Sequence, residues 1–153
     1  MEYLTFAIMG FFAGLFSTFL MTLFELLFWK KWGLKGIFEW HENQILFSKL
    51  LRKDPDKLIF HGIFLLHFLN GGLGGTGLFV FVGIFPILVK YAYILGLGYA
   101  ILLWVLTLLP IHKPITGIDP LRHTQGIGPL LASLAGHVIY GISLSLVLLN
   151  YSL

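Results

Sequence analysis

Hydrophobic and polar positions divide the chain into four long apolar runs and two polar segments. Residues 3–29, 58–86, 92–110 and 129–149 approach or exceed the ~20 apolar residues a helix needs to cross the hydrocarbon core, so each is predicted to span a membrane. The expected architecture is all-α: a four-transmembrane-helix bundle forming one domain over residues 1–153. Between the first two runs, segment 36–53 places Ile37, Phe38, Ile45, Leu46, Leu50 and Leu51 near helical spacing. Glu39, Glu42, Lys49, Arg52 and Lys53 lie between them, which predicts an amphipathic helix resting on the membrane interface. Pro86 and Pro110 are expected to end the second and third spans, and residues 111–129, with three prolines and three glycines, read as a loop.

The second apolar run carries the least ordinary pattern. Over residues 58–89 it holds no Asp, Glu, Lys or Arg, yet contains His61, His67 and Asn70 followed by Gly71, Gly72, Gly74, Gly75 and Gly77. Polar side chains are costly in lipid, and small residues let helices approach closely, so both features are expected to face protein. Gly10 and Gly14 in the first span and Gly136 and Gly141 in the fourth predict further helix-packing seams. A break of the second span at its glycines would instead expose backbone carbonyls, as in a small oligomeric transporter or channel.

Composition sharpens this into a membrane protein. The chain is 58% hydrophobic and 11% charged, with a mean hydropathy of +0.90, against about 25% charged residues in ordinary soluble domains. The formal charge of +3 reflects topology and not a nucleic-acid surface. Seven Lys and Arg lie at 30–57, two at 113 and 122, and one at position 90, which predicts loops 30–57 and 111–128 in the cytoplasm and both termini outside. The N-terminal run lacks a basic leader and a small-residue cleavage site, so it reads as a retained span. The absence of cysteine excludes disulfides, thiolate metal ligands and cysteine nucleophiles.

Candidate chemistry rests on polar groups inside the predicted spans. His67 and His137 fall about 12–14 Å from the basic side at ~1.5 Å per residue, with Thr22, Asn70 and Tyr140 nearby, so these five form the expected intramembrane polar cluster. Two imidazoles at one depth could ligate haem b or a metal ion, or bind a quinone; they fit better an interhelical hydrogen-bonded seam of about 0.6 kcal/mol per contact, with no cofactor. Glu25 and His61 are expected at a shallower level, as a second cluster on the cytoplasmic side. His112, Asp119 and His123 offer a possible metal clip in the loop, whereas HENQ lacks the second histidine of a zinc-protease helix and GGLGGTG follows no strand, so it is not a phosphate loop.

The stretch GFFAGLFSTFLMT, the HFLNG of the second span, the Leu109-Pro110 end of the third and the HVIYG of the fourth together resemble an uncharacterised family of small four-span membrane proteins of bacteria and archaea. The resemblance covers all four spans and implies that His67, Gly71, His137, Tyr140 and Gly141 act together, without assigning an activity. Little catalytic equipment is visible. The expected function is therefore a non-catalytic accessory or structural subunit of a larger membrane complex, with lipid and other membrane subunits as partners; a histidine-based binding or electron-transfer module is the alternative.

Overall fold

The computed structural model describes residues 2–151, with side chains described for residues 3–150. Every regular element among them is helical. The long helices are α1 (Glu2–Trp32), α3 (Phe60–Ile84), α4 (Ala92–Thr107) and α6 (Gly128–Tyr151); α2 (Phe38–Leu50) and α5 (Lys113–Thr116) are shorter. Four stretches, Tyr3–Trp32, Phe60–Ile84, Pro86–Thr116 and Gly128–Asn150, are long and apolar enough to cross a membrane. They expose large apolar side chains such as Leu4, Phe12, Leu27, Leu65, Ile94 and Leu131, the outward face a multi-pass membrane protein needs.

Glycine determines how closely these helices pack. A Cβ on Gly14 would lie 2.2 Å from the Gly71 carbonyl oxygen, and one on Gly75 would lie 2.2 Å from that of Gly10, so α1 and α3 touch backbone to backbone along a seam. A second seam joins α4 to α6, where a Cβ on Gly141 would approach the Gly96 carbonyl to 2.5 Å. Ser145 ties the same seam by donating to the Ala92 and Gly141 carbonyls. Since α1 also packs on α6, the helices follow the order α3, α1, α6, α4, and α3 and α4 flank a gap. The glycine run of α3 is continuous helix, so no broken segment bares carbonyls as the transporter reading requires. Every glycine there keeps its place in the helical hydrogen-bond ladder, the arrangement lipid favours.

Two predicted boundaries move. α1 continues past Lys30 and Lys31 to Trp32. Pro110 does not stop the third span: the chain widens into a π-helical turn over Leu108–His112 and stays helical to Thr116. A π turn shifts the hydrogen-bond register by one residue and thereby absorbs the N–H that proline lacks. The segment predicted as a loop therefore begins as helix, and it buries His112 completely.

The segment expected to lie on the interface does form a helix, but α2 turns polar groups inward. Phe38, Trp40, His41, Asn43, Gln44, Phe47 and Ser48 are buried, while Leu46 and Leu50 are exposed. The aromatic residues fasten it: the Trp40 ring meets Trp29 at 5.6 Å and Phe64 at 5.0 Å, and Phe38 meets His112 at 4.7 Å. Gln44 holds the connection to α3, donating to the Pro55 and Lys57 carbonyls and accepting from the Ile59 N–H. On the same end of the bundle, Nε2 of His123 lies 3.1 Å from the Lys35 carbonyl and Gln125 donates to the Trp32 carbonyl, so the two basic connections meet there.

Candidate functional site

Three carboxylates meet three imidazoles at this end of the bundle. Glu25 of α1 faces His67 of α3 at 3.4 Å, Glu39 of α2 faces His137 of α6 at 3.5 Å, and Glu42 of α2 contacts His112 of the π turn at 2.8 Å. Each pair bridges two different elements. The first follows from the revised helix ends: Glu25 lies seven residues before Trp32, and His67 lies seven residues after Phe60, which sets both roughly 10 Å deep. Glu25 also accepts a 2.7 Å hydrogen bond from Trp40 Nε1, joining α2 to the core. Glu39 accepts from the Ser133 hydroxyl, which in turn accepts from Trp104 Nε1 at 3.1 Å.

Above this base lies a cavity of about 220 Å³ in the gap between α3 and α4. Glu39, Glu42, Asn43, His67, Asn70 and His137 form its polar part; Thr18, Met21, Gly71, Gly74, Leu103, Thr107 and Tyr140 complete the wall. Tyr140 donates to the Gly71 carbonyl at 2.6 Å and Tyr99 to that of Gly74 at 2.8 Å, bridging α3 to α6 and to α4. Glycine at 74 makes room, because a Cβ there would sit 2.8 Å from the Tyr140 hydroxyl.

Hydrogen bonding fixes part of the proton arrangement. The Ser133 carbonyl only accepts, so His137 donates to it from Nδ1 at 3.0 Å, which leaves Nε2 of the neutral ring as an acceptor. His112 Nδ1 and Glu42 Oε1, 2.8 Å apart, share one proton between them. Glu25 Oε1 and Glu39 Oε2 are buried without a hydrogen-bond partner, and His67 Nε2 has the 3.4 Å contact with Glu25 Oε2 alone. Burial holds the Glu42 carboxyl above the usual carboxylate range, an effect that the hydrogen bond from His112 partly offsets. At the back of α2, burial pushes His41 down to about 4, reinforced by the positive charges of His112, Lys35 and His123.

Of the sequence candidates, His67, His137, Asn70 and Tyr140 line the cavity; Thr22 does not, and instead donates to the Thr18 carbonyl within α1. The expected Glu25 and His61 cluster does not form. His61 is exposed, with its ring against Phe47 at 5.7 Å, because α1 ends three residues later than expected and Glu25 moves to the level of His67. The loop clip also disperses: Asp119 binds Lys113 at 3.1 Å, His112 turns to Glu42 and His123 to the Lys35 carbonyl. Among the described residues no three His, Asp or Glu side chains converge in metal-binding geometry. Gly10, Gly14, Gly75 and Gly141 sit at close backbone contacts, Gly71 lies against the Thr18 side chain, and Gly136 faces Met21 and leaves space beside Glu25 Oε1.

Glu39, Glu42, Asn43, Trp104 and Ser133 were missed as site residues. The signal available for the α2 trio was the density of polar residues in FEWHENQ, which is too rich in aromatic rings for a wholly solvated face. No family model, curated protein or solved structure matches the chain.

Proposed function

We propose that this is a membrane-embedded binding protein for a small molecule, held in the cavity between α3 and α4. The observation that carries the reading is the convergence of Glu39, Glu42, His67, Asn70 and His137 on one apolar-walled space inside the membrane-spanning bundle. Ionisable groups at such depth are expensive, and a seam needs only paired ones; the unpartnered buried Oε2 of Glu39 exceeds what packing alone requires. A volume of about 220 Å³ falls below the ~300–1,000 Å³ of drug-sized pockets, so the occupant is a small molecule or a headgroup. The accessory-subunit reading accounts for the four spans but gives this cavity no role. In the membrane, the end bearing the basic connections faces the cytoplasm by the positive-inside bias, so α2 closes the site from that side.

The test is thermal unfolding of the purified protein in detergent against small amines, alcohols, carboxylic acids and a benzoquinone. At least one class raises Tm in the wild type, and the rise disappears in Leu103→Trp, which fills the space. If no class acts, or if the filled variant responds equally, the binding reading fails.

A further inference from the structure

The cavity has a marked bias in its hydrogen-bonding groups. Each hydroxyl on its wall already spends its proton on a backbone carbonyl: Thr18 on Gly14, Thr107 on Trp104 and Tyr140 on Gly71. Their oxygens therefore have only acceptor capacity left. In the neutral tautomer of His137, Nε2 is an acceptor as well, since Nδ1 carries the proton toward the Ser133 carbonyl. Glu39 brings a carboxylate whose Oε2 has no partner, and Glu42 keeps one oxygen beyond its contact with His112. Asn43 and Asn70 supply amide donors, each paired with a carbonyl acceptor of its own. Among the described residues no Lys or Arg lines the space. His67, only 6% exposed, lines the same wall with its Nε2 turned to Glu25 Oε2 at 3.4 Å.

We propose that the occupant is an organic ammonium: a primary amine, protonated, carried on a short apolar chain. Three N–H donors answer a surface made mostly of acceptors, and the positive charge offsets the Glu39 carboxylate where water is scarce. The carbon chain lies against Met21, Leu103 and the bare backbone at Gly71 and Gly74. A carboxylate in this place would meet Glu39 as a like charge, and a quinone would bring only acceptors to acceptors. This assignment rests on the binding reading above and specifies the ligand it takes.

Propylammonium, 1-propanol and propionate, matched in size, are compared with a benzoquinone by thermal unfolding and calorimetry in detergent. Phosphatidylethanolamine and phosphatidylglycerol added to the same micelles separate a lipid headgroup from a free amine as the source of the ammonium. Propylammonium or phosphatidylethanolamine is expected to raise Tm while the neutral and anionic compounds do not. Glu39→Gln is expected to weaken that binding by about tenfold or more, the factor equivalent to about 1.4 kcal/mol. The wild-type selectivity needs no variant, so a poorly folded Glu39→Gln leaves the test intact. If propanol, propionate or the quinone matches the amine and the effect vanishes in Leu103→Trp, the ammonium assignment falls and the binding site stands. If no compound acts, both fall.

Discussion

Substituting Gly14 by alanine tests the architecture at its narrowest contact. The added Cβ would lie 2.2 Å from the Gly71 carbonyl oxygen and 2.9 Å from the Gly72 Cα, against 3.4 Å for ordinary contact, so α1 and α3 must part by about 1 Å. Backbone cannot rotate away as a side chain would. The same seam carries Gly10 against Gly75 and Thr18 against Gly71, and separation there forfeits their dispersion contacts too. Overpacking of this kind costs roughly 1–3 kcal/mol, and the backbone contact places Gly14→Ala at about 2 kcal/mol or more. Gly98 supplies the control, because a Cβ there meets nothing within 4 Å. Gly98→Ala in mid-α4 gains about 0.5–1 kcal/mol from backbone entropy alone. The assay is unfolding in mixed micelles of rising SDS fraction, followed by tryptophan fluorescence. Equal stability of Gly14→Ala and Gly98→Ala would refute the backbone seam.

Further expectations concern the polar end of the bundle. Glu25→Ala strips the partner from Trp40 Nε1 and leaves the His67 imidazole facing no carboxylate, a loss of about 3 kcal/mol in the same unfolding assay; Glu25→Gln, which keeps an acceptor for Trp40, loses about 1 kcal/mol. Equal losses from the two would show that the acceptor is immaterial. For His41 the folded imidazole sits at about 4, below the ordinary 6.5, so the unfolded chain takes up a proton first as pH falls. Stability is therefore complete above about pH 6.5 and declines down to about pH 4. His41→Phe should flatten the decline in a Tm series over that window, and an unchanged slope would assign it to another group. The raised Glu42 carboxyl acts with the opposite sign, losing stability as pH rises through its shifted range, so Glu42→Gln should steepen the net acid-side decline.

The four spans were legible because lipid imposes its own length on an apolar helix, and the sequence alone marked both Gly10-Gly14 and the run from Gly71 as close-packing surfaces. What escaped were features decided by packing at helix ends. Lys30 and Lys31 look like the end of a span, yet their stems let the helix run to Trp32, whose ring stacks on Phe28 at 4.8 Å. That short extension changed the partner of Glu25 from His61 to His67. Pro110 looked like a stop because sequence rules treat the α register as fixed, whereas a π turn carries the helix through. The largest difference lies in α2. Its spacing of apolar residues fits a helix on a surface, but burial follows Trp40 and Phe38, and these draw Glu39, Glu42 and Asn43 inward with them. A hydrophobic pattern cannot show carboxylates buried against histidines, since each is affordable only through a partner distant in the chain.

The account stands on the polar side of α2 forming the floor of the cavity, and a chain without cysteine lets that be measured directly in native membranes. Glu39→Cys with Ser133→Cys, treated with a short bis-methanethiosulfonate linker, is compared with Leu46→Cys and Ser133→Cys; Leu46 lies on the exposed side of α2, 39% accessible. Efficient cross-linking of the first pair and little of the second is the predicted result. Cross-linking at Leu46 and none at Glu39 would mean that α2 lies on the membrane with its acids in water, and would contradict the account.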